Sequence, residues 1–236
     1  MSKHFSFELN KTKKTTLVVM CVTTATQLIA LYFFTIIARF EPSSTEDILK
    51  NYSGLIGLAT TITMFVSVIY GTIVANRIIV ANYIGDSRMR LYLYPHGRSQ
   101  LYYTKNMVFV SSFSFMQLLG ILIANITYVA IESLFPIMIS QSAAFSYLLD
   151  FLTSSVICTM LTTSMILLSS FVGIRLSSPV ATIVTAIILI VCCGNLMAMA
   201  FANYQLLTLI LTVVIAALVF AGVVIAGARI NKDEVF

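Results

Sequence analysis

LLTLILTVVIAALVFAGVVIAGA, residues Leu206–Ala228, runs for twenty-three positions without a charge or a proline. A helix rises ~1.5 Å per residue, so this run matches the ~30 Å of hydrocarbon in a bilayer. It is continuously apolar rather than alternating, which argues against a barrel strand. Working outward, five similar stretches precede it: Leu17–Ala38, Leu55–Ile79, Met107–Ile131, Phe151–Val172 and Val180–Phe201. The expected fold is an all-α polytopic membrane protein. Six transmembrane helices form a single transmembrane domain over residues 1–236.

Composition leads to the same class. The chain is 59% hydrophobic and 10% charged, with mean hydropathy +0.97. A soluble domain carries roughly a quarter of its residues as charges, so this chain cannot coat a globule with polar surface. A disordered chain and a secreted disulfide scaffold are excluded on the same ground. Cys21, Cys158, Cys192 and Cys193 all lie in apolar runs without metal-site spacing, and read as buried structural thiols.

The net charge of +5 is a topology signal. Twelve of the fourteen lysines and arginines fall on one side of the six spans: Lys3, Lys11, Lys13, Lys14, Arg77, Arg88, Arg90, Arg98, Lys105, Arg175, Arg229 and Lys232. Only Arg39 and Lys50 fall on the other, beside Glu41, Glu46 and Asp47. Excess positive charge marks the cytoplasmic side, so both termini are expected in the cytoplasm. The basic residues do not form a patch for nucleic acid, and no such partner is expected. Ahead of the first span, FSFELNKTKK sets Phe5 and Leu9 four apart among lysines. It suggests either a short amphipathic helix lying in the interface or a simple basic flank.

No catalytic constellation is visible. His4 and His96 lie outside the spans, there is no HExxH, and no GxxxxGK[ST] phosphate loop occurs. The chain is expected to be non-catalytic, with no metal or cofactor of its own. The spans contain Gln27, Gln117, Asn125 and Asn195 among many serines and threonines. These either line a polar pathway or hydrogen-bond packed helices to one another. Gly222-x-x-x-Ala226 and Gly54-x-x-Gly57 would allow close helix approach.

The connection between spans two and three, residues 76–106, is the long cytoplasmic segment. Its core, IGDSRMRLYLYPHGRSQLYYTKN over 84–106, interleaves Arg88, Arg90, Arg98 and Lys105 with leucines and tyrosines. Pro95-His96-Gly97 is a turn signal, and Ser99 suits a cap for the helix entering span three. The expectation is helix, turn, helix, with a basic and aromatic surface. Such a hairpin either anchors to headgroups or docks into a partner's groove.

Six spans, cytoplasmic termini, a basic lead-in and this loop together resemble the permease subunit of a type-2 ABC exporter. In that family the loop often runs arginine, apolar residues, proline, arginine and a lysine opening the next helix. Here these match Arg88 and Arg90, Leu91–Tyr94, Pro95, Arg98 and Lys105. The resemblance implies a coupling helix whose residues include Arg88, Arg90, Tyr94, Pro95, His96, Gly97, Arg98 and Lys105. It implies cytoplasmic ABC ATPase partners that bind ATP and Mg, a second permease chain, and a multi-pass location in a bacterial plasma membrane. Small permeases without outer domains resemble those exporting or expelling amphipathic peptides such as bacteriocins and lantibiotics. Family members often carry re-entrant helices between spans five and six. Ala202–Tyr204 leaves no room for these unless span five breaks near Gly194-Asn195. A membrane immunity or sensor protein that binds a peptide, and an ion-coupled carrier, are the alternatives.

Overall fold

A computed structural model describes the backbone of residues 2–40, 52–84, 98–135, 148–201 and 205–230. Side chains are described over 12–40, 54–84, 99–135, 149–194 and 206–228. Among the described residues there are six α-helices and no strand. They are α1 Ser2–Phe40, α2 Tyr52–Ile78, α3 Arg98–Leu134, α4 Leu148–Arg175, α5 Pro179–Phe201 and α6 Gln205–Ile230. A 3-10 turn, Val80–Tyr83, follows α2. Five candidate spans are long and apolar enough to cross a membrane: Thr12–Phe40, Gly54–Tyr83, Ser99–Leu134, Leu149–Arg175 and Leu206–Ala228. The protein is therefore a multi-pass, all-helical membrane protein. Of α5, the stretch Pro179–Gly194 is apolar but shorter.

The helices are longer than the apolar runs at several ends. The expected separate interfacial helix at the N-terminus is not formed, because α1 is one helix of 39 residues. No glycine or proline lies between Ser2 and Phe40, so nothing in the sequence supplies a sharp break. At ~1.5 Å per residue it extends about 58 Å, roughly twice the hydrocarbon thickness. α3 likewise starts at Arg98 rather than Met107, which puts Ser99 inside the first turn instead of at the cap. α5 runs unbroken past Gly194-Asn195 to Phe201.

Side-chain contacts set the helix directions. Gln27 of α1 meets Thr63 of α2 and Asn125 of α3, and Thr35 of α1 meets Tyr128 of α3. Gln117 of α3 meets Thr162 of α4, while Asn125 meets Ser155. Rising numbers on α3 thus pair with rising numbers on α1 and falling ones on α4. Asn76 donates to the Pro179 carbonyl, and Tyr103 to that of Val224. Consecutive helices alternate in direction.

Three apolar layers stack along the bundle. One end holds Val19, Val74, Tyr102, Phe113, Ile166 and Val223. The middle holds Met64, Val68, Ile121, Leu161 and Ala186, and the far end holds Leu31, Ile56, Tyr128 and Phe151. Lys13, Lys14, Arg77, Arg98, Lys105 and Arg175 belong to the ends of helices at the first of these layers.

Centrality runs opposite to hydropathy. α2 and α4 pack together and hold most of the other helices around them. Within the spans, 67% of α4 is buried by protein, against 22% of α6, the most apolar helix of the set. Lipid satisfies an apolar side chain as well as protein does, so Leu206, Ile210, Leu218 and Ile225 can face outward without loss. Serines and threonines prefer the interior, and α4 carries them at Ser154, Ser155, Thr162, Ser169 and Ser170. The same logic corrects the expectation of four buried thiols. Only Cys158 is buried, whereas Cys21 and Cys192 are exposed on the flank of the bundle.

Small residues mark the tight crossings. Thr24 Oγ1 donates to the Gly120 carbonyl at 3.1 Å, across α1 and α3. A Cβ on Gly120 would lie 2.1 Å from Thr23 Oγ1 and 2.9 Å from the Met20 carbonyl oxygen. Gly173 is as closely covered by Thr182 where α4 turns into α5. That turn places Ser177 at φ 49°, with Ser178 N donating to the Gly173 carbonyl and Ser177 N to that of Ile174. This hydrogen-bond pair is a Schellman stop. Pro179 then opens α5 as expected. Gly222 does not serve as a crossing: nothing lies within 4 Å of its Cβ position, which borders an open apolar groove between α4 and α6.

Replacing Gly120 with leucine should destabilise the protein by about 1–3 kcal/mol, the usual cost of overpacking a close contact. Gly222→Leu should leave stability nearly unchanged. Thermal unfolding of both variants in detergent checks the difference.

Candidate functional site

Two regions hold the residues singled out in the sequence. The first is the base of the segment between α2 and α3. Arg88, Arg90, Tyr94, Pro95, His96 and Gly97 lie outside the described residues. Arg98 opens α3, and Lys105 is half-buried and engaged on the same helix. What is described is the pair of stalks that carry this segment, and they are joined to each other.

The junction is a row of tyrosines. Tyr83 in the 3-10 turn and Tyr102 on α3 meet edge to face, with ring centroids 5.4 Å apart. Both are buried, at 3% and 2% exposure, so these rings pack inside the protein. Edge-to-face pairs of this kind contribute about 0.5–1.5 kcal/mol beyond the area they bury. Tyr102 also contacts Tyr103, at 6.0 Å between centroids. Asn106 Nδ2 donates to the Tyr102 carbonyl and completes the first turns of α3.

Tyr103 carries the row across to α6. Its hydroxyl donates to the Val224 carbonyl at 2.7 Å. Its ring lies over Gly227, where a Cβ would fall 2.4 and 2.5 Å from two ring carbons and 2.6 Å from the hydroxyl oxygen. A side chain at position 227 would displace this ring. Thus the stalks at Tyr83 and Tyr102 clasp one another, and Tyr103 fastens them to the last turns of α6. Tyr102 and Tyr103 were visible in the sequence as loop aromatics, but their partners Tyr83 and Gly227 were not. A tyrosine and a glycine more than a hundred residues apart carry no mutual signal in one sequence.

The second region is a polar seam through the middle of the spans. Thr63 Oγ1 donates to Gln27 Oε1 at 2.6 Å, and Gln27 Nε2 donates to Asn125 Oδ1 at 3.1 Å. Asn125 Nδ2 continues to Ser155 Oγ at 3.3 Å, and Ser155 donates to the Phe151 carbonyl. Four helices are tied through four side chains, every one buried. Nearer the basic end, Gln117 Nε2 donates to Thr162 Oγ1 at 3.0 Å and lies 4.0 Å from Cys158 Sγ. The Cys158 thiol points in turn to the Thr60 carbonyl at 3.8 Å.

Of the four amides named from sequence, Gln27 and Asn125 are thus brought together in the interior while Gln117 is buried separately, and each of the three spends its N–H group on a neighbouring helix. Asn195 lies on α5, beyond the described side chains. Thr63 and Ser155 were not singled out. The signal for Thr63 was available, since Thr60, Thr63 and Ser67 recur at helical spacing along one face of α2. Among the described residues, no group of three or more histidines, cysteines or carboxylates is arranged to hold a metal. No family model, curated protein or solved structure matches this chain.

Replacing Gln27 with leucine removes two buried hydrogen bonds and leaves Asn125 Oδ1 without its donor, whereas the Thr63 hydroxyl keeps the Ala59 carbonyl at 3.0 Å. The expected loss is about 1–3 kcal/mol. Gln27→Leu combined with Asn125→Leu should cost less than the sum of the two single changes, because they share one bond. Unfolding of the three variants in detergent reads this coupling.

Proposed function

We propose that this chain is the membrane-spanning permease subunit of an ATP-driven ABC exporter. It would expel an amphipathic substrate, a peptide in our reading, with the energy supplied by a separate cytoplasmic ATPase subunit that binds ATP and Mg. In this reading all six helices cross a bacterial plasma membrane, both termini are cytoplasmic, and the basic end of the bundle faces the cytoplasm. Two permease chains, identical or related, form the pathway between them. Gln27, Gln117, Asn125 and Asn195 belong to the polar interior beside it.

The observation that carries this reading is the tyrosine clasp at the base of the segment between α2 and α3. A docking element must be stiff if it is to pass movement into the membrane rather than absorb it. Here the basic segment containing Arg88, Arg90 and Arg98 springs from two stalks locked by Tyr83 and Tyr102. Closure of the ATPases would press on Arg88–Arg98 and move α2 and α3 together. Tyr103 would hand part of that movement to α6 through its bond to Val224.

A second reading draws on the seam. Gln27, Gln117 and Asn125 all use their amide N–H groups to hold helices together, which suits a static bundle. In that case the chain is a non-transporting immunity or sensor protein that binds a peptide, and its basic end holds anionic lipid.

Purification of the full chain from its native membrane, asking whether a cytoplasmic ABC ATPase comes with it, separates the two. The exporter reading expects a stable complex, lost in Arg90→Glu combined with Arg98→Glu, with cellular resistance to amphipathic peptide lost in parallel. If no ATPase co-purifies and the charge-reversed protein still confers resistance, the exporter reading fails. Tyr103→Phe removes one hydrogen bond, worth about 1 kcal/mol. It should keep the ATPase bound while lowering peptide-stimulated ATP hydrolysis about fivefold, the factor that corresponds to such a bond.

A further inference from the structure

Most hydroxyls in the spans follow one habit, returning their proton to a carbonyl three or four residues back. Thr60, Thr162, Ser169 and Ser170 all do so. Ser67 departs from it. Its residue is 1% exposed, and its hydroxyl meets no protein partner. Gln117, with no exposure at all, gives its Nε2 proton to Thr162, yet its Oε1 receives no donor.

The two atoms belong to one layer of the bundle. Gly71 of α2 meets the Phe113 ring of α3 and the Ile166 side chain of α4 at a single level. α3 runs opposite to α2 and α4. One turn from that level, moving away from the basic end, therefore brings Ser67, Gln117 and Thr162 into register. A proton donor with nothing to receive it and an acceptor with nothing to donate share this layer. Over their whole length α2 and α3 touch each other only sparingly, with α1 and α4 packed against both. Buried polar atoms left unanswered in an apolar surrounding are costly, and the surrounding here is hydrocarbon.

We propose that Ser67 and Gln117 bind a buried water molecule at the junction of α2, α3 and α4. The water accepts the Ser67 hydroxyl proton and donates to Gln117 Oε1. Its second proton goes to the remaining lone pair of Thr162 Oγ1, which already accepts from Gln117 Nε2 and donates to the Cys158 carbonyl. Three polar partners are the usual complement of a buried water. The bridge adds a polar tie between α2 and α3 at this layer. It holds for a static bundle and for a moving one, so it does not depend on the transport reading.

Two measurements on the full chain in detergent test it. If the water is present, Ser67→Ala removes an anchoring group and lowers Tm by about 2–4 °C, as a loss near 1 kcal/mol does at this chain length. Gln117→Met lowers it as well, and the double variant falls no further than the larger single effect. X-ray radiolysis in heavy-oxygen water should then label Met64, Cys158 or Met165, which are buried in the adjoining core, and the double variant should lose that label severalfold. An unchanged or raised Tm in Ser67→Ala overturns the proposal, because deleting an unanswered hydroxyl is neutral or favourable. Coupled variants without the heavy-oxygen label overturn it too, since they would indicate a direct bond between the two side chains.

Discussion

In hydrocarbon, no solvent competes for a hydrogen bond, so every polar group in a span must be answered from within the protein. The rest of this bundle depends on that constraint. Gln27 cannot face lipid, and the groups that answer it, Thr63 and Asn125, lie on two different helices. One side chain thereby fixes the distance and rotation of α1, α2 and α3 at mid-span, and Asn125 extends the tie to α4 through Ser155. Individual bonds of this type contribute only about 0.6 kcal/mol on average. Their directionality matters more than their strength, because an apolar surface slides on its neighbour whereas an amide must meet its partner.

The same constraint explains the order of the helices from centre to edge. α4 is dense in serine and threonine and is the most buried span, whereas α6 is almost wholly aliphatic and the least buried. In water the preference would be reversed. Without a hydrophobic force between helices, packing falls to small residues and complementary shape. Gly71, Gly120 and Gly173 sit where a neighbour occupies the space of a side chain, and Gly227 does so beneath Tyr103.

The basic end combines these rules with a feature of its own. Charges gather at the helix ends there, yet the tyrosines beside them turn inward and bind the 3-10 turn, α3 and α6 to each other. A loop meant only to lie on headgroups would gain more from tyrosines at the interface than from buried ones. A stiff base beneath a basic, proline-containing segment fits the transmission of force.

Much of the fold was legible in the sequence. Five of the six expected spans are recognised one at a time, by length and hydropathy, which requires no knowledge of a neighbour. Pro179 likewise marks a helix start by its own backbone chemistry. The helix ends were less legible, since α1 and α3 continue as polar helices past the point where hydropathy falls. The candidate site was half legible. Gln27, Gln117 and Asn125 stand out as amides in apolar runs, and Tyr102 and Tyr103 as aromatics in a basic loop. Which helix answers each of them was decided only by the tertiary structure. Gly222 and Gly227 are five residues apart in similar surroundings, yet one borders an open groove and the other lies under Tyr103. Burial of a polar or small residue depends on the rotation of one helix against the next. That rotation is a property of the packed bundle rather than of any single span.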